Sequence, residues 1–244
     1  MTEKALEYDV RKMEDVEYNY RKIEENISLA AEKAGRKRED IIFLAATKTV
    51  EPVYINRAIS CGLKYIGENR VQELLAKYDD YDLEYASLHF IGHLQSNKIR
   101  QIVGKVDLIQ SVDSIKLAKE ISRQGQLKNT STDILVEVNI GGEENKSGVE
   151  PEKLEELLGE ISALDNISVK GLMTIPPICE NETEIRKYFS RMNKLFIDIK
   201  GKKLDNISME FLSMGMSSDY QEAILEGANM VRVGSALFGP RNYV

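Results

Sequence analysis

Ile41-Ile42-Phe43-Leu44-Ala45-Ala46-Thr47-Lys48-Thr49-Val50-Glu51-Pro52 decides the fold of this chain. The apolar run from Ile41 to Ala46 has the length of one buried strand. Thr47, Lys48 and Thr49 end it with polar groups, and Pro52 suits the first turn of a helix that stops before Gly62. This is one strand-to-helix unit, and its grammar recurs along the sequence. Further apolar runs lie at Tyr65 to Gly67, Leu88 to Ile91, Val106 to Gln110, Ile134 to Asn139, Val169 to Thr174, Met209 to Ser213 and Met230 to Gly234. Longer amphipathic or charged stretches separate them. Asp113 or Ser114 caps a helix over Ile115 to Gln124, Pro151 opens another, and Ser218 with Asp219 precedes one at Tyr220 to Leu225. Strands alternating with helices read as a parallel sheet with crossover connections.

A further helix precedes the first strand. Val10, Met13, Val16, Tyr20, Ile23, Ile27 and Ala30 recur three or four apart across Asp9 to Ala34, which places them on one helical face against the barrel's flank or lower end. An open doubly wound sheet also uses alternating strands and helices, but its usual GxGxxG turn after the first strand is absent. The expected fold is therefore a closed (β/α)8 TIM barrel with an extra N-terminal helix. The length of 244 residues matches the roughly 250 of such a barrel. Five prolines and no linker-like run leave one domain over residues 1–244.

Composition excludes several classes of function. A net charge of −7 gives no basic footprint for nucleic acid. The basic stretch Arg36-Lys37-Arg38 reads as a solvated helix end. No apolar run approaches the ~20 residues that span a bilayer, and the charged segment Met1 to Tyr20 lacks a signal-peptide core. A cytoplasmic protein is expected. Cys61 and Cys179, outside any CxxC pair, read as core fillers in a reducing compartment.

Barrel enzymes carry their working groups at the C-terminal ends of the strands, and here those ends are polar. Lys48 continues the alternation of Ile42, Leu44 and Ala46, so it enters the barrel if Ala45 and Thr47 face the helices. A partly desolvated lysine gives up its ammonium form more readily, and a neutral amine attacks aldehydes. Snorkelling outward is the alternative for a lysine considered alone. Arg232 alternates with Val231 and Val233, which places a permanent charge inside the barrel, where it needs a carboxylate or a ligand atom. Gly234 and Ser235 follow it, and the loop Met214-Gly215-Met216-Ser217-Ser218 follows the seventh run. Together they have the makings of an anion site, since phosphate sites after strands seven and eight recur in such barrels. Taken singly, each loop also reads as a plain turn with Ser218 as a helix cap. His89 and His93 lack a third ligand, so no metal is expected there; a structural role, or packing beside an aromatic ligand, is expected.

Five stretches then carry a resemblance. Ala46-Thr47-Lys48-Thr49, Gly67-Glu68-Asn69-Arg70-Val71-Gln72-Glu73, His89 to Lys98, Leu212 to Asp219 and Val231 to Ser235 resemble the pyridoxal phosphate homeostasis protein family, also called the proline synthase co-transcribed homologue family. The resemblance covers nearly all of the chain after the first helix. It implies a barrel like the N-terminal domain of alanine racemase, with pyridoxal 5′-phosphate (PLP) held as a Schiff base on Lys48. It also implies that Arg232 faces the pyridine nitrogen and that the phosphate rests on Ser217, Gly234 and Ser235, with Met214 and Ser218 nearby. Asn69 joins this cofactor-binding set.

Alanine racemase adds a C-terminal β domain whose tyrosine, from the partner subunit, is its second acid–base group. This sequence ends at Val244, ten residues beyond Gly234, so no such domain is expected. Loss of one positioned acid–base group costs about 10²- to 10⁴-fold. The expected function is thus intracellular PLP homeostasis with little or no turnover, exercised by a monomer that binds PLP and meets PLP-dependent apoenzymes or amino acids. The alternative is a PLP-dependent racemase or related enzyme. A cofactor-free aldolase working through Lys48 accounts least well for the anion loops.

Overall fold

The structure, a computed structural model, describes residues 9–240 apart from Lys203. Its strands are β1 (Ile42–Ala46), β2 (Tyr65–Glu68), β3 (Ser87–Phe90), β4 (Leu108–Val112), β5 (Thr132–Glu137), β6 (Ile167–Met173), β7 (Ile207–Ser213) and β8 (Met230–Val233). Each pairs in parallel with the next, and β8 returns to β1 through the partners Leu44↔Arg232, closing the barrel. Leu44, Ile91, Leu108, Leu135, Met173 and Met230 pack together inside it. Phe43, Ala45, Ile66, Val231 and Val233 point the other way, into the larger core beneath the helices. The alternation read at Ile42, Leu44 and Ala46 therefore holds. In a closed barrel both faces of every strand are covered, so the strands read as continuous apolar runs.

The helices are α1 (Val10–Lys33), α2 (Pro52–Ser60), α3 (Val71–Lys77), α4 (Ile99–Ile102), α5 (Ile115–Lys128), α6 (Leu154–Ser162), α7 (Glu182–Lys200), α8 (Tyr220–Leu225) and α9 (Ser235–Phe238). The Asp9 carboxylate caps α1 by accepting the Arg11 and Lys12 N–H groups. Val16, Ile23, Ile27 and Ala30 are buried on its inner face. Polar ties fix it across the flank: Asn19 Nδ2 donates to Leu237 O of α9 (3.1 Å), and Asn26 Nδ2 donates to the Tyr220 hydroxyl of α8 (3.1 Å).

Several expectations need correction. Arg36 and Arg38 are not a merely solvated helix end, because Arg36 Nη1 donates to Ala228 O (2.7 Å) and Arg38 pairs with Glu24 (2.6 Å). Cys61 and Cys179 are half-buried free thiols; Cys179 packs against the edge of the core, but neither fills its interior. β4 begins at Leu108, not Val106, because Val106 N–H still donates to Ile102 O at the end of the α4 turn (3.2 Å). β5 ends at Glu137, and Asn139 instead holds the following turn through Glu143 O (2.9 Å).

Two bulges change the phase of the barrel. In β4 the register shifts between Ile109 and Val112, both of which face outward although they are three apart. In β6 it shifts beside Gly171, whose φ is +153° and where a Cβ would lie 1.9 Å from Phe211 O. Only glycine fits there. Val169 consequently faces outward and Met173, four residues on, faces in.

Candidate cofactor site

Lys48 leaves the end of β1 half-buried and lines a cavity of about 410 Å³. Ala46, Thr49, Val50, Gly234 and Ser235 line it with Lys48, as do Asp9, the N-cap of α1, and Lys12 and Asp15 of that helix. Because β8 is the hydrogen-bonded neighbour of β1, residues nearly two hundred positions apart meet at one mouth.

Gly234 also meets the loop after β7. The Ser217 hydroxyl oxygen accepts the N–H groups of Gly234 (3.1 Å) and Ala236 (3.3 Å), so two backbone donors converge on one point and the hydroxyl proton stays free to donate. The exposed Ser235 hydroxyl adds a further donor. With the two N–H groups taken up by Ser217, the Ser217 and Ser235 hydroxyls are the donors left to an anion, and they fit a phosphate beside the Lys48 amine. Ser218 is exposed and lines a neighbouring cavity of about 290 Å³ with Met216 and Asp219. The Met214 side chain is fully buried in the core beneath the helices. Asn69 does not line the Lys48 cavity; its backbone lies against Gly92, where a Cβ would sit 2.0 Å from Asn69 O, so Gly92 lets the ends of β2 and β3 meet.

Below the mouth, a chain of hydrogen bonds crosses the barrel. Arg232 Nη1 donates to Ser213 Oγ (2.6 Å) and Nη2 to Thr174 O (2.9 Å). Ser213 Oγ donates to Gln110 Oε1 (2.7 Å), and Gln110 Nε2 lies 3.0 Å from His89 Nδ1. His89 is buried, and desolvation pulls its pKa down to about 4, so it accepts at Nδ1 as a neutral ring. Burial also lowers Arg232, to about 10, against the opposing pull of Glu137 and Asp219, and the guanidinium keeps its proton near neutral pH. Thus Arg232 enters the barrel and, among the described residues, is held by a hydroxyl and a carbonyl, without a carboxylate in contact. His93 is exposed, with Nδ1 near Ser147 Oγ (3.2 Å), so the two histidines do not converge. Among the described residues no three His, Cys, Asp or Glu side chains cluster as metal ligands.

Gln110, Ser213 and Glu137 were missed as site residues. Glu137 ends β5 buried, and its carboxyl has no hydrogen-bond partner among the described residues. Desolvation and the nearby Asp113 push its pKa up to about 7, with Arg232 opposing. Alternation counted from Leu108 and Leu135 would have marked Gln110 and Glu137 as inward-facing.

A closed barrel with an amine and an anion cradle at its C-terminal mouth defines the alanine racemase type of cofactor barrel. The model of the alanine racemase N-terminal domain matches residues 18–242. Within that class the chain belongs to the pyridoxal phosphate homeostasis protein family. The family's protein from Aquifex aeolicus is 48% identical over 222 residues, covering 90% of this chain and 95% of its own length. That from Escherichia coli K12 is 34% identical, covering 95% and 99%. Among solved structures, PipY of Synechococcus elongatus, described with PLP bound, superposes with a TM-score of 0.76 at 32% identity over 87% of this chain and 100% of its own. Alanine racemase of Corynebacterium glutamicum shares the fold at 13% identity (TM-score 0.68), over 95% of this chain and 62% of its own.

Proposed function

We propose that this protein binds PLP at the mouth of the barrel and serves intracellular PLP homeostasis as a carrier, attaching the cofactor covalently to Lys48. One observation carries the reading: Lys48 lines one cavity with Gly234 and Ser235, and the Gly234 N–H in turn meets the Ser217 hydroxyl of the loop after β7. When bound, PLP supplies an aldehyde whose condensation with a primary amine forms a C=N bond and releases water. Lys48 provides the amine, while Gly234, Ser235 and Ser217 hold the phosphate, with Ser218 close to them. Arg232 would be the group that meets the ring nitrogen. Since it keeps its own proton near neutral pH, it leaves that nitrogen unprotonated and so weakens the ring as an electron sink, which favours holding over turnover. The protein works as a monomer in the cytoplasm and exchanges PLP with apoenzymes. No helix among the described residues is long and apolar enough to cross a membrane.

The test is visible absorbance of the purified protein with PLP, followed by borohydride reduction and peptide mass mapping. Wild type becomes labelled on Lys48, whereas Lys48→Ala loses both chromophore and label. A label on another lysine would refute the assignment.

Glu137 favours a second reading, an amino-acid racemase or related enzyme, since a carboxyl that titrates near neutrality inside the barrel suits proton transfer. That reading requires α-deuterium exchange of an amino acid over many turnovers by the loaded protein.

A further inference from the structure

Thr49 has a φ of +63°, in the left-handed region. The other non-glycine residues there among those described are Asn129, Asn166 and Asn206, a residue type that tolerates it. Thr49 is β-branched, and for such a side chain this backbone is strained. It also directly follows Lys48.

The strain is countered by a specific polar network. Thr49 N–H donates to Glu73 Oε2 on α3 (2.9 Å). Lys77 Nζ, one helical turn on, donates to the same oxygen (3.2 Å), to Glu68 Oε1 (3.0 Å) and to Thr47 O (3.3 Å). Thr47 Oγ1 and the Tyr81 hydroxyl both donate to Glu68 Oε1, at 2.9 and 2.7 Å. Lys48 is therefore clamped on both sides, at Thr47 through Glu68 and Lys77, and at Thr49 through Glu73. Although burial works to raise it, the Thr49 N–H and Lys77 hold the Glu73 carboxyl below its ordinary value, as a charged acceptor.

We propose that Glu73, fixed by Lys77, is a positioning residue: it pins Thr49 in its left-handed conformation and so aims the Lys48 amine into the cavity. The inference rests on Lys48 being the lysine that PLP modifies. It assigns α3 a task distinct from the cradle at β7 and β8, because it governs the approach of the amine and leaves recognition of the phosphate alone.

Two probes separate these roles. PLP reports attachment through the rate at which its absorbance shifts and the yield of borohydride label. Pyridoxine 5′-phosphate, which lacks the aldehyde, reports binding without attachment. Glu73→Ala is expected to slow attachment of PLP about tenfold to a hundredfold, since small misplacements of a reacting group carry costs of that order. Its affinity for pyridoxine 5′-phosphate should stay within about twofold, well under the tenfold of ~1.4 kcal/mol. Adding Thr49→Asn restores the rate, because asparagine adopts the left-handed backbone without Glu73. Glu73→Gln, which keeps an acceptor but loses charge, should fall between, and it serves if Glu73→Ala does not fold. Equal weakening of both probes, an unchanged attachment rate, or no rescue by Thr49→Asn would each overturn the proposal. Labelling that survives Lys48→Ala would instead refute the reading of Lys48 on which it rests.

Discussion

At the scale of single residues, His89 and Glu137 set the pH response of the fold. Burial takes His89 from 6.5 down to about 4 and Glu137 from 4.5 up to about 7. Between those ordinary values the folded protein keeps both groups uncharged, whereas the unfolded chain charges both. The folded state thus binds one proton fewer at His89 and one more at Glu137, and the two linkages oppose each other. Glu137→Gln should unmask the histidine, so that stability falls as pH drops from 6.5 towards 4. His89→Gln should unmask the glutamate, so that stability falls as pH rises from 4.5 through 7, by up to about 3 kcal/mol. Urea midpoints across that range measure both slopes, and parallel profiles in the two variants would contradict the assignment. Neither group was marked for this role in the sequence. His89 stood out only as one of two histidines, and Glu137 lay unremarked inside the run read as Ile134 to Asn139.

At the scale of elements, α1 does more than cover the barrel. Asp9, Lys12 and Asp15 wall the cavity, and Ile27 on the same helix is fully buried. Ile27→Ala should cost about 2–5 kcal/mol of stability, measured by denaturant unfolding. It should also weaken PLP binding by more than an equally destabilising change on α6, which does not line this cavity. The helix itself was legible from its apolar spacing, and so was its packing face. The clamp on Thr49 was not, because Glu73 and Lys77 look like ordinary surface charges until the fold sets α3 beside the end of β1. The bulges in β4 and β6 were not read either. Each inserts one residue; Gly171 within β6 was a sign of one, whereas nothing in Leu108-Ile109-Gln110-Ser111-Val112 of β4 marks the other.

For the whole molecule, the alternation of apolar runs with capped helices was enough to specify eight parallel strands, and the closure of β8 on β1 confirms the barrel. Strand ends were less legible, as β4 and β5 show, because they depend on which backbone groups the neighbouring loops satisfy. The anion cradle was readable from composition at two loops; its convergence on Ser217 required the fold. A ligand that binds only the closed form stabilises it by mass action, so PLP at a hundred times its dissociation constant should add about 2.7 kcal/mol. The melting temperature should rise with PLP concentration in wild type and far less in Lys48→Ala. An unchanged melting temperature in wild type would argue against a site confined to the folded barrel.

The pairing of the first strand with the last also has a consequence in time. During synthesis the Lys48 end emerges well before Gly234 and Ser235. On the proposed site, a nascent chain would lack the half that holds phosphate until β8 pairs with β1, so capture of the cofactor would wait for the closed barrel.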